Sequence, residues 1–413
     1  MKSQIHRNIV ENFEIVKRWF KDQEGGLQFP LYMSFDIRDS GKKVVPVDAN
    51  LFPAGFNNIC ATDKESAIEL VGEYLDTHFP GQCKGIVLVT EEHTKNAYYW
   101  ENVYTLLTLI KEAGKDVRVT FPRPVSDSFE VESANGQRIK ICTNEIVEGQ
   151  FLVDGREASL IISNNDFSDD KSEWLKDVRI PVVPPHEMGW HVRRKDKFFS
   201  FYNSLAGEFS ELIKLDPWVL SVKTESFPSF DIGDEENREK LAVKVDEFYK
   251  SLVVEHQKRD LHEDPFIYVK NSAGTYGLGV SMVRSGDDVR SWTYKSRKKM
   301  KAAKGGGGVS SLILQEGIPT SIVSEGSSAE PALYLVGDRL AGGFLRTHMQ
   351  KGPQDSLNSP GAVFRRLCVS DLKINVEGHP MENVYGWVAK LGALAVAKEA
   401  KEAGVELKNY RCQ

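Results

Sequence analysis

Cysteine is scarce in this chain of 413 residues: five, at Cys60, Cys83, Cys142, Cys368 and Cys412. The number is odd and no two share a metal-ligand spacing, so neither a disulfide nor a zinc site is expected. His186, Glu187 and His191 lie close together but lack the His-Glu-x-x-His order of a helical zinc site. Positive charge is not in excess either. With 53 Lys and Arg against 59 Asp and Glu, the net charge of −6 argues against general nucleic-acid binding. The basic run Val289–Lys304 has only Trp292 and Tyr294 interleaved and reads as a solvated helix face. No apolar run reaches the roughly 18 residues that a membrane span needs. The N-terminus, MKSQIHRNIVENFEIVKRWF, lacks the unbroken apolar core of a signal peptide, so a cytoplasmic protein with no membrane partner is expected. Low complexity is confined to Gly305–Gly308, and the length suits two or three subdomains.

What is present is concentrated between Phe29 and Ile59, FPLYMSFDIRDSGKKVVPVDANLFPAGFNNI. Leu31–Ile37 alternates large apolar residues with others, Asp39-Ser40-Gly41 is a turn signal and Lys43–Val47 is β-branched, which together predict a β-hairpin. Residues two apart on a strand share a face, so Asp48 and Asn50 point the same way. A short loop with Gly41 left-handed brings Asp36 to that face as well. Two carboxylates and an amide oxygen form an oxygen-only site suited to Mg²⁺. Asp-x-Asn before Pro and Gly is also ordinary turn chemistry, and both readings stay open on these residues alone.

Elsewhere, Ile5–Lys21 carries a helical apolar stripe, and Lys64–Thr77 and Asn96–Ala113 read as further helices. Gly85–Thr90, Asp116–Phe121, Gly149–Val153, Leu160–Ser163 and Ile180–Val183 read as strands, and the alternation predicts a parallel sheet covered by helices. Such a unit holds small substrates at its strand ends. In PFIYVKNSAGTYGLGVSMV, a strand carrying Lys270 enters a loop with Gly274, Gly277 and Gly279 and returns as a strand. Glycines let backbone N–H groups approach phosphate closely, and Lys270 adds charge. The pattern is neither a P-loop nor a Rossmann fingerprint. A strand from Ser311 closes on Gln315-Glu316-Gly317-Ile318. Glu330–His348 reads as a hairpin turning at Gly337-Asp338 with Arg346 near its far end, and Met381–Ala403 as a closing helix.

These pieces resemble the ATP-grasp ligases. The hairpin of Asp36, Asp48, Asn50 and Pro53 is similar to their metal-binding hairpin, with Asp48 where Glu is usual and Ala54 as an extra residue before Gly55. The Lys270 hairpin resembles their lid over ATP, Glu316 their nucleoside hinge, and Asp196-Lys197 a pair found before a helix. In that superfamily the metal hairpin stands near the C-terminus; here it comes first, and the resemblance implies an α/β fold of ATP-grasp type with a circular permutation. The wording SFDIRDSGKKVVPVDANLFPAGFNN, KNSAGTYGLGV and LAGGFLRTH is similar to an uncommon proteobacterial glutamate–cysteine ligase family. That implies ATP-dependent joining of the γ-carboxylate of L-glutamate to the amine of L-cysteine through an acyl phosphate, the first step of glutathione synthesis. The implied roles are Mg²⁺ on Asp36, Asp48 and Asn50; phosphates on Lys270, Gly274, Gly277 and Gly279; nucleoside on Glu316; the transferred phosphoryl group on Arg346 and Lys270; and amino-acid carboxylates on Arg38, Asn57 and Asn58. Arg38 equally suits a strand-end salt bridge. The expected division is residues 1–59 with the metal hairpin, 60–195 as the substrate-side α/β unit, 196–320 with the lid, and 321–413 completing the ATP-grasp unit. Another ATP-grasp amide ligase, such as a glutathione synthetase, and a non-catalytic α/β binding protein are the alternatives, and nothing in the sequence sets the oligomeric state.

Overall fold

The computed structural model describes the chain except for residues 93–94, 168–173, 175, 177, 274–278, 302–310, 369–372, 377–378 and 408–413. The N-terminal stripe forms two helices, α1 (Lys2–Glu11) and α2 (Phe13–Glu24), where one was expected. Asn12 breaks them: its side-chain amide donates to the Asn8 carbonyl at 2.8 Å, competing with the helical ladder. The hairpin follows as β1 (Tyr32–Asp39) and β2 (Val44–Asn50), with Gly41 at φ +77° in its turn. Next come α3 (Ala61–His78), β3 (Ile86–Thr90), α4 (Ala97–Glu112) and β4 (Val117–Thr120). Five short strands then run without intervening helices: β5 (Phe129–Glu132), β6 (Arg138–Ile141), β7 (Asn144–Val147), β8 (Gln150–Val153) and β9 (Arg156–Glu157). With β10 (Leu160–Asn164) and β11 (Val182–Val183) they complete a six-stranded sheet, β11-β10-β3-β4-β6-β5, parallel except at β5, and a separate meander β7-β8-β9.

The chain continues through α5 (Lys195–Leu212), β12 (Thr224–Phe227), α6 (Glu235–Gln257), β13 (Ile267–Asn271) and β14 (Val280–Val283). Then come α7 (Gly286–Arg290), α8 (Tyr294–Lys301) and β15 (Leu312–Glu316). The four-stranded antiparallel sheet is β12-β15-β13-β14. The 23-residue α6 packs Leu241, Val245, Phe248 and Leu252 against Ile267, Val269, Leu312 and Leu314. Period two therefore turns Tyr268 and Lys270 to the sheet's other face.

Last come β16 (Val323–Ser324), β17 (Ser327–Val336), β18 (Arg339–Thr347), β19 (Val363–Leu367), β20 (Lys373–Val376), β21 (His379–Glu382) and α9 (Val384–Glu402). The closing helix starts later than expected because the Asn383 side chain caps it, accepting from the N–H groups of Tyr385 and Gly386. The N-terminal hairpin lies in the C-terminal sheet, β19-β18-β17-β1-β2, with Asp36 opposite Ala332, and not in the sheet of β3. Alternation along β1 sends Met33, Phe35 and Ile37 into a core shared with Val388, Leu391 and Leu394 of α9. Asp36 and Arg38 look the other way.

The expectation about cysteines is corrected. Cys60 and Cys368 form a disulfide, with Cα atoms 5.7 Å apart across 308 residues of sequence. Counting and spacing could not find it, because the fold brings the N-cap of α3 beside the end of β19. Among the described residues no helix is long and apolar enough to cross a membrane.

Candidate active site

Strand β2 is the edge of its sheet, so half of its backbone groups have no strand to pair with. Asp36 stands directly opposite Asp48, and Ser34 opposite Asn50, which puts both carboxylates on one face. The register then slips, Ile37 pairing with Pro46, so that Val47 bulges without a partner strand residue. Cations from elsewhere satisfy this edge. Lys270 Nζ donates to the Val47 carbonyl at 3.1 Å, Arg193 Nη1 to the Ala49 carbonyl at 2.7 Å, and Lys195 Nζ to the Asp48 carboxylate. Burial alone would raise the Asp48 pKa, but the ion pair with Lys195, helped by Lys270, outweighs it and holds the carboxyl below its usual range.

Arg346 on β18 faces its cross-strand partner Glu330 and donates to it at 2.7 Å. It also grips Asp36 in a fork, at 2.8 and 3.1 Å. Arg38 Nε approaches Glu330 at 2.6 Å, while its two terminal nitrogens donate to the carbonyls of Pro353 and Asp355 at 3.0 and 2.7 Å. Burial raises the Asp36 pKa despite Arg346; the two arginines overcome burial at Glu330 and lower its pKa. Lys270, which also donates to Gln315 Oε1 at 2.6 Å, is pushed down to about 8 by burial, with Asp48 opposing the shift. Asp36, Arg38, Asp48, Lys195, Lys270 and Glu330 line one cavity of about 70 Å³ between the two antiparallel sheets.

Ile318 borders that cavity and a larger one of about 520 Å³ beside it. The larger wall is mostly apolar, with Trp218, Phe266, Met282, Ile318, Pro319 and Pro353. Glu316 also lines it, but its carboxylate is held by Lys43 at 2.8 and 2.7 Å and by the Lys223 N–H at 3.1 Å. Lys43 in turn lies 4.3 Å from the centre of the Trp218 ring. Gly317 is required by close approach: a Cβ there would stand 2.2 Å from the Phe266 ring.

The structure thus brings Asp36, Arg38, Asp48, Lys270 and Arg346 into one cluster. Asn50 shares their face, half-buried, without lining the cavity. Asn57 and Asn58 occupy the turn Phe56–Asn58, outside both cavities. That loop is pinned to α4 and to the carboxyl end of β10. Asn102 Oδ1 accepts from Gly55 and Phe56 N–H at 2.8 and 3.0 Å, and Asn164 joins Asn102 to the Pro53 carbonyl. Gly279 takes a left-handed φ of +62°; Gly274 and Gly277 lie outside the described residues. Of the Asp196-Lys197 pair, Asp196 accepts from Ser272 and Lys197 is exposed beside Glu402. The buried lysine is Lys195, one residue earlier. Sequence reasoning missed it, as it missed Arg193, Glu330, Asn102 and Asn164; only Glu330, opposite Arg346 across the Gly337-Asp338 turn, left a readable signal.

The model of a family described as glutamate-cysteine ligase matches residues 6–400. A crystal structure from Methylobacillus flagellatus KT, whose protein carries the assignment gamma-glutamylcysteine synthetase, is 30% identical with a TM-score of 0.83. The match covers 96% of this chain and 95% of that one. A glutathione synthetase-like effector from Globodera pallida shows 9% identity and a TM-score of 0.43 over 88% of this chain and 83% of its own. D-alanyl-alanine synthetase A from Vibrio cholerae O1 biovar eltor shows 11% and 0.35 over 77% and 81%. No curated protein matches the sequence.

Proposed function

The chain belongs to the glutamate-cysteine ligase family, ATP-dependent ligases, and from that premise we propose that ATP lies along the cleft between the β13–β15 and β1–β17–β18 sheets. The nucleoside fits the 520 Å³ cavity against Phe266, Met282 and Ile318, at the hinge carrying Glu316 and Gly317. The phosphates run past Ile318 toward Lys270 and Lys195.

The observation that carries this reading is the charge of the inner cavity. Three cations (Arg38, Lys195, Lys270) line it with three carboxylates (Asp36, Asp48, Glu330), and Arg346 stands behind them, bonded to Asp36 and Glu330. That balance falls well short of the about four negative charges of a triphosphate, so a divalent cation suits the site. Asp36 and Asp48, with Asn50 on the same face, offer the hard oxygen ligands that Mg²⁺ prefers; each carboxylate keeps lone pairs beyond those given to Arg346 and Lys195. Bound there, Mg²⁺ would neutralise phosphate charge.

The protein's own groups then orient and stabilise. Freed in part from Asp48, Lys195 and Lys270 hold phosphate oxygens. Arg346, already fixed by Asp36 and Glu330, presents a preorganised cation toward the transferred phosphoryl group. The γ-carboxylate of glutamate attacks phosphorus to give the acyl phosphate and ADP. The cysteine amine then displaces phosphate, with positioning doing most of the work. The loop of Asn57 and Asn58, docked on α4 and the end of β10, and Arg38 on the cleft wall are the proposed sites for the amino acids.

ADP release measured over pairs of amino acids, alongside Mg·ATP calorimetry on wild type and Lys270→Met, tests the reading. Release should require glutamate with cysteine, and Lys270→Met should weaken ATP binding by at least ~10-fold. Wild-type ATP affinity in Lys270→Met would place ATP elsewhere.

A further inference from the structure

Arg193 precedes α5 and contributes nothing to either cavity, yet its side chain is almost fully buried. Its Nε donates to both oxygens of Glu399 on α9, at 3.1 and 3.0 Å, and its Nη1 to the Ala49 carbonyl at 2.7 Å. The guanidinium lies over the rings of Trp190 and Phe198, 5.0 and 5.7 Å from their centres. A buried ion pair needs no backbone partner. Here the planar fork takes a carboxylate on one side and a strand carbonyl on another, which a lysine ammonium could not do with the same fixed geometry. The carbonyl it takes is that of the residue between Asp48 and Asn50, on an edge strand with no further strand to hold it.

We propose that Arg193 and Glu399 are a positioning pair for the carboxylate wall. They fix the depth of Asp48-Ala49-Asn50 against Lys195 and Lys270, and couple the closing helix α9 to that segment. Arg193 and Lys195 flank Arg194, the N-cap of α5, so one helix start sets both the Asp48 side chain and the backbone next to it. Trp190 stacks under both cations, Lys195 at 4.5 Å, and keeps their spacing. Loss of the pair lets Asp48 shift without removing any ligand. The inference rests on reading Asp48 as a metal and phosphate-side residue.

The test uses Glu399→Gln, which keeps the shape and a neutral hydrogen bond, and Arg193→Lys, which keeps the charge and loses the fork. Two readouts are taken: the Mg²⁺ concentration that half-saturates ADP release, and Mn²⁺ affinity of the ATP-loaded protein by electron paramagnetic resonance without turnover. Supporting groups behind metal ligands are worth ~10-fold or more in metal affinity. Both quantities should worsen by about that factor in each variant, with the KM for cysteine unchanged. Unaltered Mg²⁺ and Mn²⁺ responses together with a lower Tm would make the pair purely structural and overturn the proposal. If Arg193→Lys does not fold, Glu399→Gln decides alone. Asp48→Asn separates the two levels. Should it leave the Mg²⁺ response unaltered, the metal reading itself fails; should it shift that response while the pair variants do not, only the positioning role fails.

Discussion

Asp48 and Lys195 form a close ion pair whose side chains are 24% and 7% exposed. Asp48→Asn preserves shape but leaves the Lys195 ammonium buried without a full countercharge. Lys195→Met leaves the Asp48 carboxylate beside Asp36 with Lys270 as its remaining cation among the described residues. Removing one partner of a buried pair costs about 3–5 kcal/mol. Asp48 is partly open to water, and Asn still accepts a hydrogen bond, so about 1–3 kcal/mol per single variant is the reasonable expectation. The double variant removes both unpaired charges, so its cost should fall below the sum of the singles by about 1–2 kcal/mol. Catalysis should not recover in parallel. Asp48→Asn should lose at least ~10²-fold in turnover, with partial rescue by raised Mg²⁺ or by Mn²⁺, and the double variant should be no better. Urea denaturation of the four proteins supplies the cycle, and ADP release supplies the rates. Additivity within ~0.5 kcal/mol would mean that the pair does not form in solution. Wild-type turnover in Asp48→Asn would return Asp48-Ala49-Asn50 to an ordinary turn.

Lys270, held at about 8, loses its charge as pH rises through that value, so the KM for ATP should climb above pH 8 and flatten in Lys270→Met. The same depression means that the unfolded chain binds the extra proton between about 8 and the ordinary lysine range, so Lys270 makes stability rise with pH across that window. At Gly392 a Cβ would stand 2.6 Å from the ring of the fully buried Phe35, so Gly392→Ala should cost about 1–3 kcal/mol in urea melts. A gain, as helix propensity alone would give, would show the α9–β1 contact to be loose. Thiol titration in denaturant should rise by two when reductant is added, and Cys60→Ser should destabilise by about 2–5 kcal/mol. An unchanged count would remove the Cys60–Cys368 link.

The same residues show how far the amino-acid order reaches. Period two and the Asp39-Ser40-Gly41 turn fix Asp36 opposite Asp48, because strand alternation and turn geometry act over a few residues. The same local rules place Lys270 on the strand entering the glycine-rich segment and Arg346 across a tight turn from Glu330. The resemblance carried the reading further, to a first hairpin lodged in the last sheet, and the pairing of β1 with β17 bears that out. Tertiary structure alone decided that Arg346 grips Asp36, 310 residues away in sequence, and that Glu316 belongs to Lys43. It also chose Lys195 over Lys197 as the buried lysine, and joined Cys60 to Cys368. A lysine or an arginine looks the same in sequence whether water or a carboxylate surrounds it. Its partner is set by how sheets and helices dock, and the edge of β2, with its unpaired carbonyls, comes into being only when the sheet is assembled.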